Sequence, residues 1–197
     1  MNQVASRYPR QVELTGKTLE LAPLDAADRD QAIAFASTLS DQDLLFLSRD
    51  IREPKVLDAW LRQIEAGEIV SLAAKLDGVV VGTTAIVIDK LSFSAHVGEL
   101  RVLVGGGARD IGLGRKLIQE AFLMGMDLGL EKLTARMTID QDAAMKVFEE
   151  LGFRQEALFQ DHVKDSDGNK HDLIIMSQDV ERFISHMQAY GLDEIGT

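Results

Sequence analysis

Val102-Leu103-Val104-Gly105-Gly106-Gly107-Ala108-Arg109-Asp110-Ile111-Gly112-Leu113-Gly114-Arg115-Lys116-Leu117 runs from an apolar strand through clustered glycines into a helix. Leu113, Leu117, Ala121, Met124 and Leu128 recur at helical spacing after it. The first amides of a helix have no partner in a preceding turn, the helix dipole is positive there, and glycine lets an anion approach closely. The segment therefore suits phosphate, and Arg109 and Arg115 add positive charge to it. A P-loop needs G-x-x-x-x-G-K-S/T; Gly107 and Gly112 have that spacing, but Leu113-Gly114 stand where Lys and Ser/Thr belong. A dinucleotide fingerprint needs G-x-G-x-x-G after a first strand, and neither glycine cluster supplies the third glycine in register. What is left is Arg109-x-x-Gly112-x-Gly114 directly after a strand, or a glycine-rich turn before a core helix.

Upstream, Glu68 to Leu76 and Val79 to Asp89 are β-branched runs joined by Asp77-Gly78, a strong hairpin signal. His96 to Val104 adds an adjoining strand. Before these, Thr18 to Ala22 alternates as a short strand, Asp25 to Leu39 and Ser40 to Ser48 follow as helices, and Pro54 opens a helix with Leu57, Trp60, Leu61 and Ile64 on one face. Downstream come a strand at Leu130 to Met137, a helix at Asp142 to Leu151, a strand from Phe153, a polar turn at Asp165 to Asn169 and a last strand at His171 to Ser177. Val180, Phe183, Ile184 and Met187 stripe a terminal helix, as core cover or a dimer face. The strand-helix-strand unit at about 97–137 should be parallel.

Ala144-Met145-Lys146-Val147-Phe148-Glu149-Glu150-Leu151-Gly152-Phe153 resembles the A-x-x-L-Y-x-x-x-G-F helix and turn of the GNAT superfamily of N-acetyltransferases, and Arg109-x-x-Gly112-x-Gly114 resembles that superfamily's acyl-CoA pyrophosphate loop. Asp167-Gly168 with Asp172-Leu173-Ile174-Ile175-Met176 resembles its closing hairpin. The resemblance covers roughly residues 17 to 178. It implies an α/β (α+β) fold: a mixed, mostly antiparallel sheet of six to seven strands with one parallel, splayed pair, flanked by helices. Residues 1–16 would be an N-terminal extension and 179–197 a C-terminal helix and tail.

The resemblance also implies acetyl transfer from acetyl-CoA, or a related acyl-CoA, to an amine of a small molecule or protein. Backbone groups of Leu103 and Val104 would pair with the pantetheine arm. The amides of Asp110, Ile111, Gly112, Leu113, Gly114 and Arg115 would hold the pyrophosphate beside Arg109. Gln141, where relatives often carry asparagine, and Phe148 would complete the cofactor contacts. Phe148 occupies the position of the usual tyrosine general acid, and Asp110 stands where relatives usually have glycine. The remaining tyrosines, Tyr8 and Tyr190, lie near the two ends. Glu99 is the candidate base, with an ion pair to Arg101 on the same strand face as its alternative role. A non-catalytic acyl-CoA sensor or interaction module is the competing reading. His162, His171 and Asp172 border the last hairpin and read as surface or packing residues.

Composition narrows the partners. The chain has 197 residues with no cysteine, which excludes disulfides, thiolate nucleophiles and cysteine-ligated metals. Four scattered histidines show no metal-ligand spacing, so no metal is expected. A net charge of −11 disfavours nucleic acid and anionic membranes and tilts the acceptor toward cationic small molecules. The apolar region Ile69 to Ile88 is interrupted by Lys75 and Asp77, and the start lacks a signal-peptide core. A cytoplasmic location is expected, and a homodimer is common among the proteins it resembles.

Overall fold

The computed structural model describes residues 6–189; Tyr190, the side chain of Met187 and the first five residues lie outside the described residues. Alternating positions in β1 (Arg10–Leu14), β2 (Lys17–Pro23) and β5 (Val97–Val104), and nearly continuous buried runs in β3 (Ile69–Leu76) and β4 (Val79–Val87), build a meander in chain order, each strand antiparallel to the last. Asp77 and Gly78, at φ 50 and 79, form the β3–β4 turn, and the matching right-handed twist of two-residue hairpins favours that left-handed pair. β6 (Lys132–Thr138) lies parallel to β5, β8 (Lys170–Asp179) pairs antiparallel with β6, and β7 (Arg154–Lys164) forms the far edge. The sheet order is β1-β2-β3-β4-β5-β6-β8-β7. Eight strands exceed the six or seven expected because Arg10–Leu14, read from sequence as part of an extension, pairs with β2 along its length.

Helices cover both faces. α1 (Arg29–Ala36), α2 (Asp41–Leu44) and α3 (Pro54–Glu65) lie over one. Ser40 and Asp43 form a capping box at α2, and Pro54 opens α3, where its missing N–H costs nothing. Phe35, Leu44, Phe46 and Leu61 bury their side chains there against Ala73 and Leu103. The other face is packed by α4 (Leu113–Asp127), α5 (Asp142–Glu150) and α6 (Val180–Ala189). Phe122 of α4 stacks on Phe183 at 3.7 Å between centroids and meets Phe153 edge-on. Val180 and Phe183 are therefore consumed by the molecule's own core and are not free to form a dimer face. Gly82 of β4 lets α4 sit close: a Cβ there would lie 3.0 Å from Leu113 and 3.2 Å from Leu117.

The N-terminal strand is clamped to α4 by polar contacts. Glu120 has no solvent exposure. Tyr8 donates to it through its hydroxyl at 2.7 Å, and Arg10 and Lys116 pair with it. Burial would be costly for that carboxylate without such partners. Arg7 adds a bond to Asp127 at 2.8 Å.

Candidate active site

Strands β5 and β6 pair only from Val97 opposite Lys132 to Leu100 opposite Ala135. Beyond that point β5 stays bonded to β4 as far as Val104, and β6 stays bonded to β8 as far as Thr138. The inner edges part: the Gly105 amide bonds the Val81 carbonyl, so Leu103 and Gly105 face β4, and Val104 between them turns its backbone groups toward the opening. A cleft of about 560 Å³ fills it.

Its phosphate-suited end is the start of α4. Gly112 stands before the helix at φ 84, and no side chain caps the helix. The opening amides thus lack acceptors from a preceding turn. A Cβ on Gly112 would meet nothing within 4 Å, and one on Gly114 only Val104 at 3.8 Å. Asp110 is also left-handed, at φ 64. This explains the glycine of the resembling proteins: the backbone asks for positive φ, and aspartate is among the few other residues that tolerate it.

The residues singled out for the cofactor line this one cleft, Ile111 excepted. Ile111 packs against the core, and its carbonyl accepts from Thr15 at 3.3 Å. Phe148 is buried and meets Phe153 edge-on at 4.8 Å, so its ring is part of the wall and offers no proton. Gln141 is engaged on both sides: its Oε1 accepts from the Thr138 amide at 3.2 Å and its Nε2 donates to the Gln42 carbonyl at 2.8 Å. Both loop arginines already hold carboxylates, Arg109 with Asp43 at 2.6 Å and Arg115 with Glu150. The residues fit a diphosphate that competes for those guanidiniums and takes the free amides.

Glu99 lies elsewhere. Side chains alternate along β5, so Leu100 enters the core under α4 while Leu103 enters the core under α1 to α3. Glu99 and Arg101 share the face of Leu103 and form an ion pair at 2.8 Å. A second cavity, of about 590 Å³, opens on that face between α3, the segment after α2 and strands β3 to β5. Arg49, Trp60, Glu68, Arg101 and Leu103 are among its lining residues. Leu103 lines both cavities, so the two adjoin at that residue of β5. Sequence reasoning missed this second cavity, since Trp60 reads as one more member of an apolar helix face and the cavity arises from where α3 sits.

The last hairpin is tied down next to the cleft. His171 Nδ1 lies 2.6 Å from Asp140, which lines the cleft, and Nε2 lies 3.1 Å from Asp165. These two carboxylates raise the imidazole pKa above its ordinary value, Asp140 most. Asp165 is lowered to about 2 by the Asn169 side chain and then by His171. With both nitrogens engaged, His171 is a positioning residue. Asp172 accepts from the Asp161 amide at 2.8 Å and His162 leans on Phe159, so both serve the hairpin. No group of three His, Asp or Glu side chains able to hold a metal occurs among the described residues.

Residues 27–153 match the Acetyltransferase (GNAT) family. That is well over half of the chain, and the chain belongs to this family. YwnH of Bacillus subtilis (strain 168) is 29% identical over 82 residues, 42% of this chain and 50% of that protein; the match spans about half the length of the curated relative. Among solved structures, a GNAT-family acetyltransferase from Streptococcus pneumoniae superposes with a TM-score of 0.71 at 22% identity, covering 82% of this chain and 99% of that one. A spermidine N-acetyltransferase from Vibrio cholerae, solved with CoA and spermine, gives 0.71 at 15% identity, covering 84% and 98%. These likenesses establish the fold.

Proposed function

We propose that the protein transfers an acetyl group from acetyl-CoA to an amine by direct attack within a ternary complex. The observation that carries this reading is the split between β5 and β6, which opens a cleft from the uncapped start of α4 to Leu103, a residue that also lines the second cavity. The amides of Asp110 to Arg115, with Arg109 and Arg115, would hold the pyrophosphate. The free edge at Val104 would pair with the pantetheine arm, against walls at Gln141 and Phe148. The acceptor occupies the cavity on the far face. Its nitrogen attacks the thioester carbonyl, the N–C bond forms, the C–S bond breaks, and the amine proton passes to Glu99. A fixed backbone donor at the strand edge stabilises the charge on the carbonyl oxygen by about 3 kcal/mol. A thiol has a pKa of about 8.5, so its thiolate leaves without an acid at the Phe148 position. The proposed location is the cytoplasm, in keeping with a cysteine-free chain; no helix among the described residues is long and apolar enough to cross a membrane.

The buried Phe148 ring supports a second reading, an acyl-CoA binder without turnover. Calorimetric titration with acetyl-CoA, set against a folded double variant, Gly112→Glu with Gly114→Glu, separates the cases. Binding in the wild type and its loss in the variant are expected, followed by thiol release with an amine that drops about 100-fold or more in Glu99→Gln. Binding with no thiol release from any amine leaves the sensor reading. No binding removes both.

A further inference from the structure

Arg136 has no counterpart in the roles given so far. It lies on β6 one step past the last paired residues, Leu100 and Ala135, so it stands across the split from Arg101. In a parallel pair, residues in register share a face. Leu133, Ala135 and Met137 enter the core under α4, which turns Arg136 to the other face, the face of Glu99, Arg101 and Leu103. Arg136 lines the cleft together with Phe46 and Gln42 of the segment that overlies that face. Its position is thus the end of the cleft where the acyl group would emerge.

Its bonding is incomplete. The guanidinium of Arg136 makes no hydrogen bond or ion pair among the described residues, and its Nε is buried without a partner. Arg101 gives only its Nε, to Glu99, which leaves both of its terminal nitrogens. Arg49 and Arg62 also line the second cavity, where Glu68 is the only acidic lining residue. A buried unsatisfied donor is a standing cost. An anion at Arg136 removes it, and a planar carboxylate matches the guanidinium fork.

We propose that Arg136, at the end of the cleft, and Arg101, in the wall of the second cavity, form an anion subsite where the two adjoin, so the acceptor is an amine that also carries a carboxylate, of the α-amino-acid type, held with its amine toward Glu99. This rests on the acetyl-transfer reading of the site. It also replaces the tilt toward cationic acceptors drawn from net charge: the chain as a whole is acidic at −11, but the face that receives the acceptor presents arginines.

The test pairs each of several probes with its decarboxylated counterpart, for instance L-methionine beside 3-(methylthio)propylamine and L-phenylalanine beside phenethylamine. Thiol release is measured for wild type, Arg136→Met and Arg136→Lys, with the acetyl-CoA Kd of each variant measured by calorimetry and folding checked by melting. Expected are at least tenfold higher kcat/KM for the amino acids, a loss of about 10- to 100-fold in Arg136→Met carried by KM, partial rescue by Arg136→Lys, and no change in the acetyl-CoA Kd. If Arg136→Met does not fold, Arg136→Lys must show the same selectivity loss in reduced measure. Equal or better use of the decarboxylated amines overturns the proposal, as does failure to use either class. A weakened acetyl-CoA Kd in the variants also overturns it, because the arginine then serves the donor. Absence of acetyl-CoA binding in wild type is a different result, which defeats the acetyl-transfer reading itself.

Discussion

Asp110 shows two local forces pulling against each other. Its left-handed backbone, φ 64, is strained for any residue with a Cβ, while its charge near the start of α4 favours the helix dipole. Asp110→Gly relieves the first, worth roughly 1–2 kcal/mol, but removes the second, roughly 0.3–1 kcal/mol, and adds unfolded-state freedom worth roughly 0.4–1 kcal/mol. The melting temperature should therefore move little. Affinity for acetyl-CoA should rise about two- to fivefold in a calorimetric titration, since a negative charge is removed from the cleft beside the helix start that would hold a diphosphate. At Gly112, φ 84, the residue type itself permits that conformation. At Asp110 it was hidden, because the sequence shows a charge there and conceals the φ that explains the departure from glycine. Phe148 was legible as a missing hydroxyl, and its edge-on contact with Phe153 required the folded chain. The ion pair of Glu99 with Arg101 was legible too, because spacing by two on a strand puts both on one face.

At the scale of elements, the β7–β8 hairpin is held by charges that titrate. His171 has a raised pKa in the folded state, so its contribution is fully present below the ordinary value of about 6.5 and is lost as pH rises through the raised value. Asp165, lowered to about 2, contributes above its ordinary range and is lost only as pH falls toward that value. Melting temperature should therefore decline more steeply from about pH 6 to 8 in wild type than in His171→Gln. Hydrogen exchange should place the loosening at residues 161–171. Both side chains keep part of their surface in water, 22% for His171 and 16% for Asp165, so solvent screening reduces the effect. The helices, the Asp77-Gly78 hairpin and the β5–α4–β6 unit were all readable, because period and turn chemistry are local. β1 was not: its five residues are only partly buried, and a short edge strand leaves a weak alternation. The bulges of β7 between Gln155 and Ala157 and between Phe159 and Val163 break its period in the same way. The second cavity is a product of packing between α3 and the sheet, and no local pattern encodes it.

Across the whole molecule, the N-terminal strand is joined to the α4 face by buried charge. Arg10→Met should cost about 2 kcal/mol in denaturant unfolding, because Glu120 loses one charged partner while Tyr8 and Lys116 remain. Adding Glu120→Met to that variant should recover much of the loss, since the buried carboxylate is what needs the partners. An unfolding midpoint for the double variant no higher than for the single one would show that the clamp acts through shape and not charge.

The bond between Arg109 and Asp43 reaches further than its 2.6 Å suggests. Asp43 belongs to a short stretch that also meets Gln141 through the Gln42 carbonyl and the closing hairpin through Asp41 and the Ser166 amide, and that continues at Leu47 to Ile51 into the wall of the second cavity. A diphosphate that takes Arg109 away from Asp43 withdraws one of the moorings of that wall. On the acetyl-transfer reading, the donor's arrival would thus slacken the threshold that the acceptor has to cross.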